Sequence, residues 1–317
     1  MISKMDKNLL KKLIGVIEDK LGFDSIKEIK TLKGGLSESK NYKIILEGDK
    51  SLFVKIFPRA YEKRIKNEEN ALKILKNTKI PSPNIIYINY EFNKEKGIFI
   101  EEFIEGKSLK NIIEIGSFNK ESLKEAGRAL ARLHKSYFLK EWQDPKSNIK
   151  SKDEWIEKRV KQRNNHNIKD LRKLGILSEE KRKQLEEYLN KFERYLQSFK
   201  FELSPLHGDY NMENIILKNR KVIGILDFEQ HCVGHNLSDL GIAYYWFKFG
   251  GLENFFPFFL KGYEKEFGEI SNTMKILYGY YVMQVLGAII FLTKNNSSEK
   301  ALAKLKELLR EFFCFNL

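Results

Sequence analysis

Leu206-His207-Gly208-Asp209-Tyr210-Asn211-Met212-Glu213-Asn214-Ile215-Ile216-Leu217 is followed a few residues later by Gly224-Ile225-Leu226-Asp227-Phe228-Glu229. Two apolar runs, Ile215 to Leu217 and Val222 to Leu226, flank a short polar turn, Lys218 to Lys221. This pattern predicts a β-hairpin. Asp209 and Asn214 fall on the loop before the first strand, and Asp227 falls just past the end of the second. A hairpin therefore brings three oxygen-bearing side chains to one end of a small sheet.

That trio suits phosphoryl transfer. A loop carboxylate can accept a proton from an attacking hydroxyl, while an Asn and an Asp hold Mg²⁺ against nucleotide phosphates. The protein-kinase signature has the same order: a catalytic Asp, an Asn five residues on, then an Asp followed by Phe. Here the triplets read His207-Gly208-Asp209 and Asp227-Phe228-Glu229, where protein kinases have His-Arg-Asp and Asp-Phe-Gly. In this form the pattern resembles the aminoglycoside phosphotransferase family and its relatives, small-molecule kinases that share the protein-kinase fold. No Ala-Pro-Glu segment follows Asp227, which argues against a protein kinase.

The remaining composition sets bounds. A chain of 317 residues, 42% hydrophobic and 32% charged, suggests a globular protein of two domains or lobes. Two cysteines, Cys232 and Cys314, predict no disulfide framework, and the lysine-bearing N-terminus lacks a signal-peptide core. We therefore expect a cytoplasmic protein. Net charge is +14, yet residues 225–317 hold 9 basic and 10 acidic residues, so the excess lies upstream. No nucleic-acid-binding motif accompanies it, and no nucleic-acid partner is expected. Ile276 to Thr293 runs 18 residues without a charge, but its Tyr, Gln and Gly content favours a helix buried in a large lobe over a membrane span.

Upstream, Asn8 to Leu21 has helical apolar spacing that Gly22 ends. Ile26 to Leu32 and Tyr42 to Leu46 read as strands around Gly34-Gly35-Leu36-Ser37-Glu38-Ser39. Gly34 and Gly35 form either a plain turn or a flap whose backbone amides approach phosphate. The next strand, Leu52 to Phe57, carries Lys55, which among apolar neighbours needs a partner. The resemblance implies that Lys55 reaches the α- and β-phosphates and pairs with Glu68, on the helix opened by Glu68-Glu69-Asn70-Ala71; Glu69 is the rival in register. Strands at Asn84 to Tyr90 and Gly97 to Phe103 close the sheet. The resemblance further implies a hinge in which the backbone of Glu102, Phe103 and Ile104 hydrogen-bonds adenine or guanine.

Downstream, Lys120 to Tyr137 and Ser178 to Phe199 are helical. Residues 140–170 are polar, are the least readable part, and are where a substrate-specific insertion is expected. The resemblance makes His134 structural and gives Asp239 the task of bracing the catalytic-loop backbone. Tyr244, Tyr245, Trp246 and Phe247 read either as core or as an aromatic wall for a cationic substrate. His231, Cys232 and His235 lack the second paired motif of a zinc site.

Together these readings predict an α+β, two-lobed protein-kinase-like fold. A small antiparallel β N-lobe (1–104) binds nucleotide, and a mainly helical C-lobe (105–317) carries catalysis and substrate. The implied reaction moves the γ-phosphoryl of ATP or GTP to a hydroxyl of a small molecule, an aminoglycoside antibiotic foremost. Choline, homoserine, a thioribose sugar or a macrolide are the other acceptors of this fold. Asp209 is the expected catalytic base, Asn214 and Asp227 the expected Mg²⁺ ligands, and Lys55 and Glu68 the expected phosphate-holding pair. A kinase-like nucleotide-binding protein without catalysis is the alternative class.

Overall fold

Leu52, Val54 and Ile56 are fully buried on one face of their strand while Phe53, Lys55 and Phe57 take the other, the two-residue period of a sheet covered on both sides. The structure, a computed structural model, describes residues 7–23, 25–32, 38–93, 95–117, 119–136, 141–142, 149–270, 274–295 and 298–315. The chain divides into two compact units, Met1–Gly106 with Ile223–Glu229, and Lys107–Val222 with Gln230–Leu317.

The first unit is built on a five-stranded antiparallel sheet with the order β1-β2-β3-β5-β4. Its strands are β1 (Ile26–Leu32), β2 (Lys40–Leu46), β3 (Ser51–Pro58), β4 (Ile85–Asn89) and β5 (Lys96–Glu102). Helix α1 (Lys7–Gly15) continues through a wider turn, Val16–Lys20, and stops at Gly22, whose φ of +64° suits glycine. Leu9, Leu13, Val16 and Ile17 pack on Ile29, Ile44, Leu52, Val54, Ile56 and Ile98. Each such burial contributes about 1.5–3 kcal/mol. Helix α2 (Glu62–Leu75) buries Ile65, Ala71, Leu72 and Leu75 in the same unit, and with them one acid, Glu68. β3 is central rather than an edge, so a lysine in its middle has no route to solvent along the sheet.

The second unit is mainly helical. It holds α3 (Leu109–Glu114), α4 (Lys120–His134), α5 (Lys152–Trp155), α6 (Gln162–Lys173), α7 (Glu179–Ser198), α8 (Leu237–Phe249), α9 (Phe256–Phe267), α10 (Met274–Lys294) and α11 (Glu299–Phe315). Ser108, Asn119, Ser151 and Ser178 cap α3, α4, α5 and α7, each side chain accepting from an amide three residues on. The short strands are β6 (Lys107–Ser108), β7 (Ser204–Leu206), β8 (Ile215–Lys218), β9 (Lys221–Ile225) and β10 (Cys232–Gly234). β8 and β9 make the expected hairpin. Its turn places Asn219 and Arg220 at φ +52° and +66°, the left-handed pair that matches strand twist.

Among the described residues of 140–170, those from Lys152 on are helical. Within 140–170 lie α5, a wide turn at Ile156–Lys161 and the start of α6. Its two tryptophans are core residues: Trp142 Nε1 donates to Leu206 O (3.0 Å) and Trp155 Nε1 to Tyr280 Oη (3.0 Å). Helix α10 is long and apolar enough to cross a membrane, but 67% of its most apolar window is buried inside the protein. It packs through glycines: a Cβ on Gly241 of α8 would lie 2.5 Å from Tyr280 Cβ, and one on Gly279 would lie 2.3 Å from the Phe192 ring.

Helices α4 and α9 touch backbone to backbone. A Cβ on Gly127 would lie 2.0 Å from Phe259 O, and one on Gly262 would lie 2.0 Å from Lys124 O. Neither atom belongs to a side chain that can turn away. Gly127→Ala is therefore expected to lower stability by at least about 2 kcal/mol, through forced separation of the helices. A urea melt of the purified variant checks this, and an unchanged midpoint would show that the two helices part without cost.

Candidate active site

The functional residues fall into two sets, one in each unit. In the first unit, Lys55 is buried and its Nζ donates to Glu68 Oε2 at 2.8 Å. Asp227 Oδ1 lies 4.0 Å from the same ammonium. Burial works against the lysine's charge, but Glu68 and Asp227 outweigh it and hold its pKa above the ordinary value. Glu68 itself is pushed up by burial, with Lys55 pulling it back. Glu69, the rival in register, is turned to Lys73 (2.7 Å) and to the Tyr90 hydroxyl instead.

Asp227 sits at φ +63°, in the left-handed region that L residues adopt sparingly. Its neighbours fix it there. Ile225 N donates to Pro81 O (2.8 Å), Asn67 Nδ2 donates to Glu229 O (2.8 Å), and Arg64 lies 3.6 Å from the Glu229 carboxylate. Gly224 is pressed against Ile104, whose Cδ1 would lie 2.4 Å from an added Cβ. Of the expected hinge amides, Glu102 N donates to Asn84 O (3.0 Å) and Phe103 N to Ser51 O (3.3 Å). The Ile104 amide is thus the one of the three that is not committed to either of those carbonyls. Gly34 and Gly35 lie outside the described residues.

In the second unit, the loop after β7 is held from beneath by Asp239, whose side chain is 0% exposed. Its Oδ2 accepts from His207 N (2.7 Å) and its Oδ1 from Gly208 N (2.9 Å). His134 Nε2 completes the group at 3.1 Å from Oδ2. An ionised Asp239 only accepts, so Nε2 carries the hydrogen and Nδ1 accepts from Tyr263 Oη at 2.8 Å. Asn236 Nδ2 in turn donates to that hydroxyl at 2.8 Å. Gly208 has φ +82°, and a Cβ there would lie 2.1 Å from Gln230 O, so only glycine fits.

The loop then folds on itself. Asp209 N donates to His207 Nδ1 (3.2 Å), Tyr210 Oη to Ala126 O (2.8 Å), and Asn214 Nδ2 to Asp209 O (3.1 Å). The carboxylate of Asp209 accepts from Trp246 Nε1 at 3.4 Å.

A family model of the phosphotransferase enzyme family, known as APH, matches residues 28–272, which include both sets. The chain belongs to that family. No curated protein matches it with significance. Solved structures of the same protein-kinase-like α+β fold cover nearly the whole chain. One is a putative aminoglycoside phosphotransferase from Ralstonia eutropha JMP134, at 16% identity and TM-score 0.65, covering 95% of this chain and 94% of that one. An amicoumacin kinase in complex with AMP-PNP, Ca²⁺ and Ami is 14% identical at TM-score 0.66, covering 97% and 93%. A gentamicin complex of APH(2")-IIa is 19% identical at TM-score 0.66, covering 97% of each chain.

The family implies a divalent cation at the phosphates, and each unit holds one oxygen of the kind that suits it. Asp227 Oδ1 is buried and has no hydrogen-bond partner. With Nδ2 of Asn214 engaged, its Oδ1 is the atom suited to a cation. Among the described residues no group of three or more His, Cys, Asp or Glu gathers for a metal.

The sequence pattern gives no functional role to Glu101 or Gly224, and it reads Trp246 as core or aromatic wall without its contact to Asp209. Glu101 is a second buried acid beside Lys55, and its Oε2 has no hydrogen-bond partner. Burial first, and then the charge of Glu68, push its pKa well above the carboxylate range, which favours the protonated form. The folded chain holds a proton that the unfolded chain releases. This group's contribution to stability is therefore full below the ordinary carboxylate range and declines as pH rises above it. Glu101→Gln removes that slope. Its melting temperature relative to wild type is expected to rise from about pH 4 to about pH 8, and thermal melts across that window check it. A constant difference would mean that Glu101 is ionised in the folded protein.

Proposed function

We propose that the chain transfers the γ-phosphoryl of ATP or GTP to a hydroxyl of a small molecule, with an aminoglycoside as the leading acceptor. The observation that carries this is the Asp209 loop, its backbone fixed by Asp239 and its carboxylate presented just after a left-handed turn at Gly208. Phosphoryl transfer is mostly positioning and charge neutralisation, so a rigid loop and a charged lysine are what the reaction asks of the protein.

In this reading Asp209 takes the proton of the acceptor hydroxyl as its oxygen attacks the γ-phosphorus. The bond from that phosphorus to the β-bridging oxygen breaks, and the nucleoside diphosphate leaves. Lys55, kept charged and aimed by Glu68, holds donor phosphates. Asn214 and Asp227 would hold Mg²⁺, which when bound neutralises charge on the phosphates. The Ile104 amide would read the base, with Gly224 leaving room for the Ile104 side chain. The relatives that bind gentamicin and streptomycin favour an aminoglycoside, whereas the net charge of +14 is a poor match for a polycation. Choline, homoserine, a thioribose sugar and a macrolide therefore belong in the same acceptor screen.

The test is nucleoside diphosphate release from MgATP and MgGTP across gentamicin, streptomycin, hygromycin B and those other acceptors. Turnover of one acceptor is expected. Mg²⁺-dependent thermal stabilisation by nucleotide with no turnover anywhere would instead favour a nucleotide-binding protein without catalysis. Asp209→Asn keeps size and one acceptor oxygen but cannot take the proton. It is expected to bind nucleotide as wild type does and to lose at least about 10²-fold in turnover.

Lys55→Ala and Glu68→Gln should each weaken turnover, the second by releasing Lys55. Because they act through one contact, the double variant is expected to cost less than the sum of the two. Strict additivity in initial rates would separate Glu68 from the phosphate-holding task.

A further inference from the structure

Helix α8 grips the candidate catalytic loop at two points. Asp239 binds its backbone amides, and Trp246, seven residues later, reaches the side chain of Asp209. Seven residues are close to two helical turns, so both groups stand on one face of α8. The helix is itself immobilised. Gly241 lets α10 approach to backbone contact, and Phe247 packs on Phe256 and Phe259 at ring distances of 5.6 and 5.7 Å. The indole packs edge-on beside two mutually stacked rings, Tyr245 at 5.0 Å and Phe249 at 6.1 Å. Asp209 and Tyr245 also feel each other. Burial raises the Tyr245 pKa, and the charge of Asp209 adds to the rise.

From this geometry we propose that Trp246 is a positioning residue for the reaction. Its indole N–H holds Oδ1 of Asp209, fixes the plane of the carboxylate and thereby sets the direction in which the other oxygen faces the acceptor hydroxyl. The proposal rests on the reading of Asp209 as the group that takes the acceptor's proton. A carboxylate on a short side chain has two torsions to fix, and the loop's own hydrogen bonds engage the Asp209 backbone. The indole acts on the side chain from a packed helix, where the loss of one donor changes orientation more than it changes fold.

Two arms test this. The first uses ¹⁵N-labelled protein without nucleotide or acceptor and follows the three tryptophan indole resonances. Asp209→Asn is expected to shift the Trp246 Nε1–H signal and to leave that of Trp155, which bonds Tyr280, in place. An unmoved Trp246 signal overturns the proposal. The second arm measures turnover of gentamicin with MgATP. Trp246→Phe, and the isostere with a benzothienyl group in place of the indole, both lack the N–H. Each is expected to lower kcat about tenfold with nucleotide affinity and melting temperature unchanged. Neither should lower it further in an Asp209→Asn background. Wild-type kcat in the benzothienyl variant overturns the proposal even if Trp246→Phe fails to fold. A wild-type chain that phosphorylates no acceptor would sink the proposed function, while the indole resonances would still decide whether Trp246 holds Asp209.

Discussion

One fully buried carboxylate organises the second unit. Asp239 is 0% exposed, and a carboxylate buried that fully must be met by donors on several sides. It is met by two backbone amides and an imidazole, and the imidazole is itself oriented by Tyr263 and Asn236. Each partner fixes something else. The two amides fix the path of the loop at His207 and Gly208, which forces the left-handed turn that only glycine accepts. His134 ends α4, and Tyr263 sits on α9, so the buried charge also ties together the helices that meet at Gly127 and Gly262. Removing one partner from such a group costs about 3–5 kcal/mol, because the charge is left uncompensated. The loop's position is therefore as secure as the core beneath it.

The first unit solves the opposite problem. Around Lys55 stand three acids, Glu68, Glu101 and Asp227, against one ammonium. Burial and the charge of Glu68 push Glu101 toward its protonated form, which relieves part of the imbalance, while Asp227 is left with one buried oxygen that has no hydrogen-bond partner. A surplus of acceptors beside a fixed cation is a poor arrangement for stability alone. It becomes sensible where a divalent cation and phosphate arrive together, since each then neutralises what the other would leave exposed.

Much of this was legible in the sequence because it is written in local patterns. The hairpin around Lys218 to Lys221, the helix carrying Glu68 and the lysine in β3 each follow from periodicity and turn chemistry within a dozen residues. The pairing of Lys55 with Glu68 rather than Glu69 depended on which face α2 buries, and Glu68 is the one of the two that is buried. What was not legible is non-local. Trp142 and Trp155 lie in a stretch whose polar residues hide the helical period, and their anchors, Leu206 and Tyr280, are far along the chain. The burial of Glu101 follows only once β4 and β5 are paired, and the need for Gly224 only once Ile104 is seen against it. Trp246 was within reach: its spacing of seven from Asp239 puts both on one helical face, but the surrounding run of aromatics looked equally like core.

The two units differ in where strain is kept. Asp227 holds an unfavourable backbone angle and an unpartnered oxygen, whereas the Asp209 loop places its one unusual angle on a glycine, where it costs little. On the proposed function, Asp209 has to be aimed before the acceptor arrives, so its loop is best relaxed and over-determined by neighbours. Asp227, as the proposed cation ligand, would gain from the reverse. Its Oδ1 accepts no hydrogen bond and has the Lys55 ammonium at 4.0 Å, so it would lose no hydrogen bond to a cation, and the binding energy would go into holding the donor. On that reading the distribution of strain follows the division of labour, with relaxed geometry for the group that must point and frustrated geometry for the group that must bind.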